Sequence, residues 1–252
     1  MPPTHETIDH VKKKLRLETP LIAVYDAVPY DDFHPLVRAR GHMCCFAFYK
    51  RWLNGETVAI VKAPEEGDEF SEPTHGCPGA QRALGLAKEY PPYMAHFLTD
   101  GVGAPMGEGL MATPELAKEF LDRAVAPEVS SGSVLIGPLR LEQWDKVKSV
   151  TFLVDADRLS AVMRLAGFWS SDPDLVAAPF SSGCGLLWRD VENQDRDRPV
   201  IGCTDIAMRK YLPPEILCLS VTPDRFEEMM TVPEGSFLDK TWWNDLMDSR
   251  DL

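Results

Sequence analysis

The sequence predicts an α+β domain, a mixed or mostly antiparallel sheet with flanking helices. Short apolar and β-branched runs recur along the chain, at 21–25, 57–61, 133–137, 150–154 and 216–221, and each has the length and composition of a strand. Helical and strand periods intermix, which suits an α+β or mixed α/β arrangement. With 252 residues, 44% of them hydrophobic, the chain can bury a sizeable core.

The elements follow in order. Residues 6–17, with Val11 and Leu15 among charges, read as a helix, so 1–17 is set apart as an N-terminal helix. A single domain is expected over 18–232 and a tryptophan-bearing tail over 233–252. Residues 29–35 form a loop carrying Asp31 and Asp32. Residues 42–53 (His42, Met43, Cys44, Cys45, Phe46 and onward to Leu53) read as a buried helix stopped by Asn54-Gly55. The strand at 57–61 is followed by an acidic loop with Pro64 and Pro73.

A helix is expected after Cys77, because Pro78 suits the first helical position, where its missing N–H costs nothing. Pro91-Pro92 interrupts the pattern, and the glycine-rich stretch 101–109 is a loop placed to close over a site. Thr113-Pro114-Glu115 opens a helix to about Ala124, with a threonine cap, proline and an acid in the first turn. Asp155 caps another, which Gly167 closes, and Thr222-Pro223-Asp224 starts a third. Residues 175–178 read as an apolar strand, and Pro199-Val200-Ile201 leads into Gly202-Cys203. Residues 241–247 read as a short amphipathic helix whose Trp242 and Trp243 pack on the body or on a second subunit.

Chemistry concentrates in one repeated dipeptide. Gly76-Cys77, Gly183-Cys184 and Gly202-Cys203 each stand where an extended segment gives way to a helix start. Glycine lets the backbone turn sharply and approach a neighbour. A cysteine at a helix N-terminus faces free N–H groups, which stabilise a thiolate. A fourth thiol comes from Cys44 or Cys45, and on a helix these adjacent residues diverge by about 100°, so one of them faces a given site. Cys218 lies in an apolar strand and reads as core. Cys77, Cys184 and Cys203 are far apart in sequence and form no Cys-x-x-Cys pair, which disfavours a zinc ribbon or a ferredoxin run and permits a cluster held from separate loops. Cys77, with His75 two residues before it, also reads as an activated nucleophile. Asp205 and Arg209 share a helix face, as a surface ion pair or as a charge clamp beside the site.

The net charge of −13 excludes a nucleic-acid partner and docking on anionic membranes. No apolar run reaches the ~18 residues of a membrane helix, and the first residues carry no signal-peptide pattern. The expected location is cytoplasmic, where disulfides are disfavoured and the six cysteines serve as metal ligands, as reactive thiols or as core.

The run Cys77-Pro78-Gly79, with Ala83-Leu84-Gly85-Leu86, resembles Domain of Unknown Function family 169. So do Pro179-Phe180-Ser181-Ser182-Gly183-Cys184 and Cys203 followed by Arg209 and Leu212-Pro213-Pro214-Glu215. The resemblance spans roughly residues 18–232 and implies site cysteines at Cys45, Cys77, Cys184 and Cys203, with Cys44 as the alternative to Cys45. Ala80 stands where the family often has a second glycine, and the loop before Cys184 is shorter.

The expected function is an iron–sulfur protein. Cys45, Cys77, Cys184 and Cys203 would bind one 4Fe-4S cluster with a redox or substrate-binding role. The expected partners are a small molecule or a redox protein, with a homo-oligomer as a further state. The alternatives are a metal-free enzyme using Cys77 or Cys203 as nucleophile, and a small-molecule module, for a tetrapyrrole or flavin, using the loop 101–109 and nearby aromatics.

Overall fold

The computed structural model describes residues 2–26, 30–38, 44–62, 77–180, 182–192 and 197–250. His75 and Gly76, Ser181, and His42 and Met43 lie outside the described residues.

The expected sheet is there, seven-stranded and mixed. Its strands are β1 (Ile22–Asp26), β2 (Leu36–Arg38), β3 (Thr57–Val61), β4 (Ser133–Pro138), β5 (Val147–Val154), β6 (Val200–Gly202) and β7 (Leu217–Val221). They run in the order β2-β3-β4-β1-β5-β7-β6. Only β2 and β3 pair in parallel, and the other neighbours are antiparallel. Short β2 has no strand signal in the sequence, since three residues behind Pro35 are too few to display a period. Residues 175–178, read as a strand, contribute only a bridge from Ala177 to Val200. Pro179 follows at once and has no N–H to extend the pairing.

The helices are α1 (His5–Leu15), α2 (Tyr49–Leu53), α3 (Pro78–Ala83), α4 (Met94–Phe97), α5 (Pro114–Arg123), α6 (Ala156–Ala166), α7 (Gly183–Leu187), α8 (Arg189–Glu192), α9 (Pro223–Met229) and α10 (Thr241–Arg250). Side-chain hydroxyls or carboxyls cap the long ones as their sequences predict. Thr113 Oγ1 accepts from Leu116 N, Asp155 Oδ1 from Arg158 N and Thr222 Oγ1 from Arg225 N.

Alternation along the strands splits the core in two. Ile22 and Val24 of β1 face one side, with Val58, Ile60, Trp52, Leu84 and Cys184. Ala23 and Tyr25 face the other, with residues of α1, α6, α9 and α10. The tail belongs to this second layer. Trp243 is buried and its Nε1 donates to the Lys14 carbonyl at 2.8 Å, whereas Trp242 is 58% exposed. The first layer is built from shorter helices and irregular turns, and it carries the thiols. Among the described residues no helix is long and apolar enough to cross a membrane.

Candidate thiol site and its cavity

Helix α7 is the centre of the site. Ser182 caps it, its Oγ accepting from Gly185 N at 3.3 Å, and Ser149 Oγ of β5 donates to the Leu187 carbonyl at its other end. It packs against α3, β6 and the 3₁₀ turn Cys45–Phe48. Two glycines permit this approach. A Cβ on Gly183 would lie 3.0 Å from Phe46 Cδ2, and one on Gly202 would lie 2.5 Å from Leu186 Cδ2. Glycine thus precedes two of the cysteines because backbone and side chain meet there at contact distance.

Cys184, buried on α7, is gathered in one layer with three other free thiols, Cys44, Cys45 and Cys77, near enough for each to act on its titration. Cys77 is the N-cap of α3, as Pro78 predicted, and its Sγ accepts from Ala80 N at 3.4 Å. Cys44 and Cys45 arrive together because residues 42–53 are not one helix. Cys44 is extended (φ −67°, ψ 139°), a 3₁₀ turn covers Cys45–Phe48, and α2 starts only at Tyr49. The 100° divergence of adjacent helical residues therefore does not apply, and both sulfurs reach Cys184.

The four thiols share protons unequally. The Cys184 hydrogen bond lowers the Cys77 pKa most, and the Ala80 and Gly79 N–H groups add to it against burial, bringing it to about 7. Cys44 is lowered by the same Cys184 contact and by the Phe46 N–H. For Cys45 the Cys184 bond also lowers, but complete burial and the neighbouring sulfurs outweigh it, and its pKa rises. Cys184 rises well above the usual thiol range, since its S–H, facing the sulfurs of Cys44, Cys45 and Cys77, is favoured over a buried thiolate among them. Cys45 and Cys184 hold their protons, and Cys44 and Cys77 are the thiols readier to lose theirs.

Cys203, expected with the ligands, is instead disulfide-bonded to Cys218, with Cα atoms 5.6 Å apart. Gly202 is the register partner of Cys218. Cys203 follows directly, in the left-handed region (φ 63°), at the end of β6 and not at a helix start. Cys218 is buried in β7, as its apolar setting suggested. Asp205 and Arg209 do not clamp each other. Asp205 accepts from Ala207 N at 2.9 Å and from Gly183 N at 3.4 Å. Arg209 donates to the carbonyls of Cys203, Pro213, Pro214 and Ile216, tying down the segment between β6 and β7.

A cavity of about 390 Å³ opens beside the thiols, with Cys44 and Cys77 in its wall. Its size is that of a small-molecule site. The glycine-rich stretch contributes Pro105, Met106 and Glu108. Tyr90, Tyr93, Phe97, Phe120, Phe180 and Tyr211 also line it, from loops and helices spread over more than a hundred residues of chain. Beyond the loop 101–109 no periodicity links lining residues so far apart in the chain, so the sequence does not single them out.

Four thiols with converging N–H groups suit iron or another soft metal. Among the described residues no group of three or more His, Cys, Asp and Glu side chains is already spaced to hold a metal ion.

No curated protein and no solved structure gives a significant match to the chain. A family model does match, over residues 10–232, that of the DUF169 family, described as uncharacterised ArCR. The match covers most of the chain, including every thiol of the site, and the protein belongs to the DUF169 family.

Proposed function

We propose that the protein is an iron–sulfur protein, with one cluster of the 4Fe-4S type, acting on or binding a small molecule. The ligands in this reading are Cys45, Cys77, Cys184 and, in place of the disulfide-bonded Cys203, Cys44. One observation carries it: the four free thiols gather around Cys184 from three separate segments. Such a cluster would supply one-electron transfer, or a Lewis-acidic iron where one ligand is weak. The chain's own part is to hold the thiolates and to aim N–H groups at sulfur. The Ala80 and Gly79 N–H groups at Cys77 and the Phe46 N–H at Cys44 would raise the cluster's potential. A small molecule in the adjoining cavity or a redox protein is the partner, and a homo-oligomer and a cytoplasmic location belong to the same reading.

The test is iron and acid-labile sulfide on protein purified without oxygen and reconstituted. About four of each per chain, with a dithionite-bleached band near ~400 nm, is the expected outcome. Fewer than about two irons per chain rejects the cluster.

A second reading rests on the position of Cys77, which lies in the cavity wall with its sulfur held by the Ala80 N–H. It makes the protein a metal-free thiol enzyme with Cys77 as nucleophile. Metal-free protein should then be alkylated first at Cys77. The thiolate is the reactive form and exists above the pKa, so the rate should climb with pH to half its maximum near about 7. Mass spectrometry of iodoacetamide-treated protein locates the label. Half-maximal labelling near the ordinary thiol value, or first labelling elsewhere, removes this reading.

A further inference from the structure

Two features of the cavity act on a ligand in the same sense. The first is its aromatic wall, whose faces carry negative potential and attract cations. Phe120 and Phe180 stand with ring centroids 5.2 Å apart, and Tyr90, Tyr93, Phe97 and Tyr211 continue the wall. Rings of this wall attract cations of the chain itself, Lys210 Nζ lying 5.1 Å from the Tyr211 ring centroid and the guanidinium of Arg82, which does not line the cavity, 5.7 Å from that of Tyr90.

The second feature is the balance of charge. Glu108, Asp205, Arg189 and Lys210 line the cavity. The Arg189 guanidinium is engaged by Asp190 at 2.9 Å and donates to Tyr90 Oη at 3.0 Å. Its charge is met by Asp190, which does not line the cavity. That sets Lys210 against two carboxylates, Glu108 and Asp205. Both carboxylates act on the same space: burial and then Asp205 push the Glu108 carboxyl up, and Lys210 draws it down.

We infer that this cavity binds an organic cation, an ammonium-bearing molecule with a flat apolar body, its charge turned toward Glu108 and Asp205 and its body against the aromatic wall beside Cys77. The inference deepens the proposed function by naming the class of small molecule taken at the thiol site. It requires no chemistry on the ligand and stands whether or not the thiols hold iron.

The test uses the full chain and three ring-matched fluorescent probes, 2-naphthylmethylammonium, 2-naphthylmethanol and naphthalene-2-sulfonate, titrated at constant ionic strength. The ammonium should bind one per chain, at least ~10-fold more tightly than the sulfonate, with the alcohol between them. Glu108→Gln should cut the ammonium affinity by about 3–10-fold and leave the alcohol unchanged, a readout that a general packing defect would not give. Leu98→Trp, which places a large ring in the cavity, should abolish binding of all three. Equal or tighter binding of the sulfonate overturns the inference, and so does an ammonium preference that survives Glu108→Gln. Iron is counted on the same samples. Selective ammonium binding without iron leaves this inference standing and removes the cluster. Iron at full occupancy with no selectivity does the reverse.

Discussion

Cys184→Ser is expected to lower reconstituted iron by at least ~10–100-fold, to the level of adventitious metal, and to remove any visible chromophore. Cys184 is the thiol that the other three contact, so its loss removes the point at which they meet. Serine is nearly the same shape but a much poorer ligand for a soft metal. Its hydroxyl, buried on α7, costs roughly 1–3 kcal/mol if left without a partner, so thermal unfolding must be measured alongside iron content. Cys77→Ser is expected to behave similarly. Cys44→Ser and Cys45→Ser should each lose iron as well, because each supplies one of the four sulfurs and no fifth free thiol replaces it. Full iron content in Cys184→Ser would refute the cluster as drawn here. Equal loss in all four variants, accompanied by a matching fall in the unfolding temperature, would point to collapse of the layer instead of loss of a ligand.

The strands, the capped helices and the α+β class were legible because each rests on local chemistry. Thr113-Pro114-Glu115 and Thr222-Pro223-Asp224 announce helix starts in a few residues, and α5 and α9 begin at those prolines. Cys77 was legible as an N-cap for the same reason. The fate of Cys203 was not. It depends on the pairing of β6 with β7, which places Gly202 opposite Cys218 across 16 residues of chain, and no local signal encodes that register. The pairing of Cys44 with Cys45 was hidden differently. Their neighbours Phe46, Ala47 and Phe48 suit a helix, yet packing under α7 draws the segment into a tighter turn. Residues that meet through tertiary packing, such as Glu108 and Asp205, leave no pattern for a sequence to display.

The largest expected change in stability comes from the disulfide. Cys203 and Cys218 are separated by 15 positions, and a cross-link closing a loop of that length stabilises by roughly 3 kcal/mol, chiefly by restricting the unfolded chain. For a chain of this size that corresponds to a fall of about 6–12 °C in unfolding temperature when the link is lost. The double variant Cys203→Ala/Cys218→Ala is the cleaner test, since a serine at position 218 would bury a hydroxyl in the core of β7. Dithiothreitol should lower the unfolding temperature of the natural chain by about the same amount and leave the double variant where it was. Iron content decides between two roles for Cys203. As a structural link, its removal leaves iron per chain unchanged, and Cys203→Ala and Cys218→Ala behave alike. If Cys203→Ala loses iron while Cys218→Ala keeps it, then Cys203 is a ligand when metal is bound. In that case an added dithiol such as dithiothreitol would reduce the disulfide to two thiols, itself becoming the disulfide, leaving Cys203 free for the metal and Cys218 as a buried thiol, and Cys44 would be the spare thiol of the site.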